Sequence, residues 1–160
     1  MDEFAPPTAA ARAATTTTLT SWLEGLGDNP VVAAVVEDEE SRKDRWFVRV
    51  NGEAKDVYSV WFELGQRTLA YETYVMPAPE ENPAAFYEQL LVRNDSLREL
   101  AFTIGEEHAV FLKGRIDLRD VSDEALDRIL GSVYAAVELC FRPALKIGFA
   151  SRFAEGEEKK

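Results

Sequence analysis

The chain has 160 residues, 46% of them hydrophobic, a length and composition that fit one domain with a real core. Its 29 acidic against 18 basic residues give a formal net charge of -11, which repels phosphate backbones and anionic lipid heads, so neither nucleic-acid nor membrane partners are expected. A single cysteine, Cys140, rules out an intramolecular disulfide framework and a cysteine-based zinc site, and a reducing cytoplasm is the compartment it fits.

Residues 1–7 read as a disordered N-terminus, with two acids directly after Met1 and without the apolar core of a secretion signal. One continuous domain over 8–153 follows, ahead of a disordered polar tail at 154–160. No run approaches the roughly 18 consecutive apolar residues of a membrane span. Over 9–26 the sequence is Ala-rich, passes through four threonines and presents Leu19, Trp22, Leu23 and Leu26, whose spacing is one buried helical stripe closed by Gly27. VVAAVVED reads as a short buried strand, and EDEESRKDR as the solvated tip of a hairpin leading into RWFVRVNG.

Asn51-Gly52 signals a tight hairpin turn with positive backbone angles. The strands DVYSVWFEL and TLAYETYVM follow, joined at Gly65-Gln66, with Tyr58, Val60, Phe62 and Leu64 on a buried face and Val57, Ser59, Trp61 and Glu63 on the other. YVMPAPEENPAAFYEQLLVRN reads as a strand exit, a proline-stiffened bridge and a helix over 83–93. Asn82 is its expected cap, Pro83 its first residue, and Phe86, Tyr87, Leu90 and Leu91 its buried stripe. ELAFTIG and HAVFLKGRI form a second hairpin, turning at Gly105, Glu106 and Glu107.

The last helix opens at Ser122, which can cap it, with Asp123 and Glu124 favouring its positive dipole end. Its stripe is Leu126, Ile129, Leu130, Val133, Val137, Cys140, Phe141 and Ala144; Pro143 should kink or end it, and Gly148 is a later stop. The order α-β-β-β-β-α-β-β-α predicts an α+β fold, an antiparallel sheet of five to six strands with helices packed on it.

No catalytic or metal constellation stands out. His108 is the sole histidine, and Cys140 sits on an apolar stripe. Gly25-Leu26-Gly27 follows a helix and reads as its stop. The acids of 117–127 are interleaved with arginines, and lack the calcium-loop spacing. The pair Glu80-Glu81 could in principle do acid-base work, but adjacent residues of an extended segment point apart and anions here suit the dipole of the following helix. Ala85, Gln89 and Val92 lie opposite the stripe of their helix and are candidate partner or dimer contacts. Gly131, Ala135 and Leu139 form a strip suited either to another helix or to thin exposure.

The blocks RWFVRVNGE, VYSVWFELG, YVMPAPEENPAAFYEQLLVRN and GRIDLRDVSDEALDRILGSV resemble the YbjN-like proteins, a bacterial family of sensory-transduction regulators. The likeness runs from about Leu19 to Phe149 and is nearest to actinobacterial members. It implies a type III secretion chaperone-like fold and a cytoplasmic, non-enzymatic protein that binds another protein, often as a homodimer, in a chaperone-like or regulatory role. No catalytic residue and no cofactor transfers with it. The alternative is a small-molecule sensor with a pocket between sheet and helices, contacted by Tyr71, Tyr74, Tyr87 and Arg93.

Overall fold

A computed structural model gives the placement of residues 5–37 and 44–153; most of the charged run after β1 therefore lies outside the described residues, as do 1–4 and the tail 154–160. Helix α1 (Ala9–Gly25) starts where the Thr8 hydroxyl accepts from the Ala11 N–H at 3.1 Å. Thr15 to Thr18, poor helix formers by β-branching, each turn their hydroxyl back to donate to the carbonyl four residues earlier, all at 3.1 Å. The helix ends at Gly25, and a 3-10 turn over Leu26–Asp28 tightens its exit. Leu19, Trp22, Leu23 and Leu26 are all buried, as their spacing predicts.

Six antiparallel strands follow among the described residues: β1 (Val32–Glu37), β2 (Arg45–Asn51), β3 (Val57–Leu64), β4 (Thr68–Met76), β5 (Ala101–Ile104) and β6 (Val110–Asp117). They form one sheet in the order β1-β2-β3-β4-β6-β5, so β1 pairs as an edge strand. Tyr58, Val60, Phe62 and Leu64 face the core. The expected Asn51-Gly52 tight turn is not formed. A longer loop over 52–56 connects the strands, no residue of it has positive φ, and the Gly52 N–H donates to the Asp56 carbonyl at 2.7 Å. Its amides are held from far along the chain, the Glu138 carboxylate accepting from Glu53 N at 3.2 Å and Ala54 N at 2.5 Å. Gly52 is needed for that close approach, since a Cβ there would lie 2.1 Å from the Lys55 carbonyl oxygen. In the β5–β6 connection the left-handed residues are Glu107 and His108, not Gly105.

Helix α2 (Pro83–Asn94) begins at Asn82, but Asn82 is left-handed and does not cap it; its amide donates to the Ile147 carbonyl at 2.9 Å instead. Phe86 and Leu90 are buried and Tyr87 half-buried, while Leu91 is 67% exposed, one residue beyond the face that meets the core. Helix α3 (Asp123–Gly148) is capped by the Ser122 hydroxyl, which accepts from Ala125 N at 3.1 Å. It runs through Pro143 without ending, and only beyond Gly148 does the chain turn. The three helices cover one face of the sheet and share its hydrophobic core.

Glu80 and Glu81, just ahead of α2, also tie its start to the end of α3. Their N–H groups donate to the Gly148 carbonyl at 2.9 and 3.1 Å. Glu80 pairs with Arg152, and the Glu81 carboxylate accepts from the Ser151 N–H at 2.5 Å and hydroxyl at 3.0 Å. The carboxylates thus take separate partners. Gly148 permits the contact, because a Cβ there would meet the Phe86 ring at 2.8 Å and Pro79 at 3.0 Å. Glu81→Ala should cost about 1 kcal/mol, the worth of a lost helix cap, and hydrogen exchange should speed up at the amides of 150–153 before any change in the sheet.

Candidate functional site

Alternation that sends Trp46, Val48 and Val50 into the core sends Arg45, Phe47 and Arg49 to the opposite face, and no helix among the described residues covers that face. Register assembles its aromatics in pairs: Phe47 stands opposite Trp61 with ring centroids 4.6 Å apart, and Tyr74 opposite Phe111 at 5.6 Å, edge to face. Cations lie over them. The Arg45 guanidinium is 4.0 Å from the Trp61 centroid and the Lys113 ammonium 5.2 Å from that of Phe111. Lys113 also pairs with Glu72 at 3.4 Å. All of these rings and their charged partners except Phe47 line a cleft of about 750 Å³, and Arg45, Trp61, Glu72 and Lys113 also line an adjoining one of about 350 Å³.

Lys55 stands at the rim. Its ammonium donates to the Tyr74 and Val75 carbonyls at 2.7 and 2.8 Å and lies 5.0 to 5.8 Å from the rings of Tyr74, Phe141 and Tyr58. Among the described residues no carboxylate forms an ion pair with it. Burial lowers its pKa to about 8 from an ordinary 10.5. The folded chain therefore gives up this proton before the unfolded chain does, and its contribution to stability rises as pH goes from about 8 to 10.5. Lys55→Met should flatten that rise by about 1–2 kcal/mol, after discounting for solvent screening, in urea titrations at pH 7 and pH 10.

The residues singled out in the sequence do not converge. Tyr71 and Tyr74 are three apart on β4 and so on opposite faces: Tyr71 is in the core, its hydroxyl donating to the Glu99 carbonyl at 2.7 Å, and Tyr74 is on the open face. Tyr87 packs edge-on against Phe86 at 5.3 Å. Arg93 lies near Cys140, whose thiol burial pushes up to about 11. The four therefore form no common pocket between sheet and helices. On α2, Ala85 and Val92 are exposed, but Gln89 turns inward with both amide atoms buried, so it does not share their face. On α3, Gly131, Ala135 and Leu139 are exposed, Leu139 by 65%, and Gly131 lines a cleft of about 380 Å³ beside Tyr134 and Val50. Phe47, Phe111, Lys55 and Lys113 are not singled out by the sequence, although RWFVRV alternates basic and aromatic residues, Arg45, Phe47 and Arg49, on its polar side.

A family model described as "Putative bacterial sensory transduction regulator", YbjN, matches residues 15–145. The chain belongs to the YbjN family. This YbjN chain is similar to an uncharacterized protein of Mycobacterium leprae, 33% identical over 107 residues, and to uncharacterized proteins of Mycobacterium bovis and Mycobacterium tuberculosis, each 32% identical over 104 residues. The first match covers 67% of this chain and 58% of the relative, and the others 65% and 57%, so the chain spans little more than half the length of these relatives. Its fold is similar to a chain in the "Structure of the HopA1-SchA Chaperone-Effector Complex", with a TM-score of 0.55 and 11% identity over 82% of this chain and 95% of that one. The α+β, chaperone-like architecture implied by the sequence resemblance is thus the observed one. No helix among the described residues is long and apolar enough to cross a membrane.

Proposed function

We propose that this YbjN domain is a non-enzymatic protein-binding module, chaperone-like or regulatory, that works in the cytoplasm and engages its partner through the open face of the sheet. The uncovered row of aromatic rings and cations on β2, β3, β4 and β6 carries the reading. Aromatic and Arg side chains are the residues that dominate protein interfaces, and here they stand half-exposed beside Val57, which is 50% exposed. The family description and the likeness to a chain of a chaperone–effector complex point the same way. A photoreactive benzoylphenylalanine at Tyr74 should cross-link polypeptides in bacterial cytosol, and one at Thr20, on the exposed side of α1, should not. Equal yields at both positions would remove the reading.

Homodimerisation belongs to the same proposal, through the outer faces of α2 and α3, where Val92 and Leu139 are 67% and 65% exposed. Light scattering should give twice the monomer mass for the wild type and the monomer mass for a Val92→Asp, Leu139→Asp double variant. A monomer for both would refute it.

A further inference from the structure

We propose that the open face of the sheet receives an extended, acidic segment of the partner protein, whose carboxylates meet Lys55, Lys113 and Arg115. The inference rests on the protein-binding reading above and adds the chemistry of the partner. Charge is its first support. The chain carries 29 acids against 18 bases, yet the two adjoining clefts are lined by four cations, Arg45, Lys55, Lys113 and Arg115. Among the described residues three carboxylates, Glu63, Glu72 and Glu106, line them, and the Lys113–Glu72 pair leaves three cations against two carboxylates. The face therefore reverses the sign of the molecule around it, and an anionic segment is drawn to it while the remaining surface repels that segment elsewhere.

Lys55 is the second support. An ammonium packed among three rings and held by two backbone carbonyls, with no counter-anion among the described residues, gains most from a carboxylate delivered by a ligand. The third is the state of the rings. Single-stranded nucleic acid would need open ring faces on which to stack its bases, but Arg45 covers Trp61, Lys113 covers Phe111 and Lys55 approaches Tyr74. Rings covered in this way offer their edges and the cations above them, which suits carboxylates interspersed with apolar side chains.

Geometry sets a spacing. Arg45 on β2 and Arg115 on β6 stand three inter-strand steps apart in the sheet order, roughly 14 Å, which an extended chain crosses in about four residues. A segment with acids about four residues apart, separated by apolar residues, therefore reaches both ends of the groove.

The test pans the intact chain against a displayed library of random peptides of about twelve residues. The selected pool should be enriched in Asp and Glu, with acids three to five residues apart. Its binding should weaken at least about tenfold between about 50 and about 300 mM salt. A Lys113→Glu, Arg115→Glu double variant with unchanged circular dichroism should lose the selected peptides by about tenfold or more and bind versions with lysines in place of their acids. A pool without acidic excess, or one that binds the double variant equally, would overturn the acidic partner while leaving a protein-binding module standing. Failure to enrich any peptide would overturn both. Tighter binding of an oligothymidylate of the same length than of the selected peptides would also overturn the proposal, in favour of nucleic acid.

Discussion

Gly114→Ala is expected to destabilise the protein by about 3 kcal/mol or more, a large part of the 5–15 kcal/mol that holds a typical domain together. A Cβ on Gly114 points to the helix side of β6, where it would lie 1.8 Å from the Glu99 carbonyl oxygen and 2.5 Å from the Tyr71 ring. The obstructing group is backbone, so no rotamer relieves it. Glu99 is already left-handed at φ 59° and its carbonyl is held by the Tyr71 hydroxyl, so moving it sacrifices that hydrogen bond as well. The control is Gly131→Ala in α3, where a Cβ meets nothing within 4 Å. That change should stabilise by about 0.5–1 kcal/mol, because alanine is the better helix former and restricts the unfolded chain. Urea unfolding of the two variants should shift the midpoint in opposite directions. Equal shifts would refute the placement of the Glu99 carbonyl against β6.

Phe62→Ala is the second large effect, about 3–5 kcal/mol. Phe62 is fully buried at the middle of β3, with the Trp22 ring of α1 at 5.6 Å, edge to face, and Tyr71 of β4 at 6.4 Å. Its loss opens a cavity between helix and sheet that neither strand can close without breaking register. Trp22 is further fixed by donating to the Asp127 carboxylate at 2.8 Å, which limits collapse from the helix side. A thermal midpoint about 10 °C lower, with the sheet's circular dichroism unchanged below the transition, is the expected reading. Trp61→Ala, on the open face, should cost far less, since that ring is only half-buried.

The element order was legible because period and polarity agree along most of the chain: β3 alternates cleanly, α3 keeps one apolar stripe over seven turns, and α1 announces its four core residues by spacing alone. What could not be read was set by contacts distant in sequence. Asn51-Gly52 has the composition of a tight turn, but Glu138 binds the following amides and opens the loop to five residues. Asn82 has the composition of a cap, but Ile147 takes its amide. Pro143 is tolerated inside α3 on its exposed side. The candidate site shows the same division. Exposed positions on α2 and α3 were countable from the helical period, apart from Gln89, whereas the open face required knowing that all three helices choose the same side of the sheet. Tyr71 and Tyr74 were grouped by residue type, and the pleat separates them.

Helix α3 leaves the ribosome after every described strand, and it supplies nine of the buried side chains beneath which the sheet closes. Trp22 and Asp127, joined across 105 residues, mark how late that closure comes. Until α3 arrives the sheet has uncovered surface on both sides, one greasy and one basic and aromatic. This fold consequently closes only once α3 has been made, and for as long as α3 is missing the greasy side of the sheet stays exposed to aggregation.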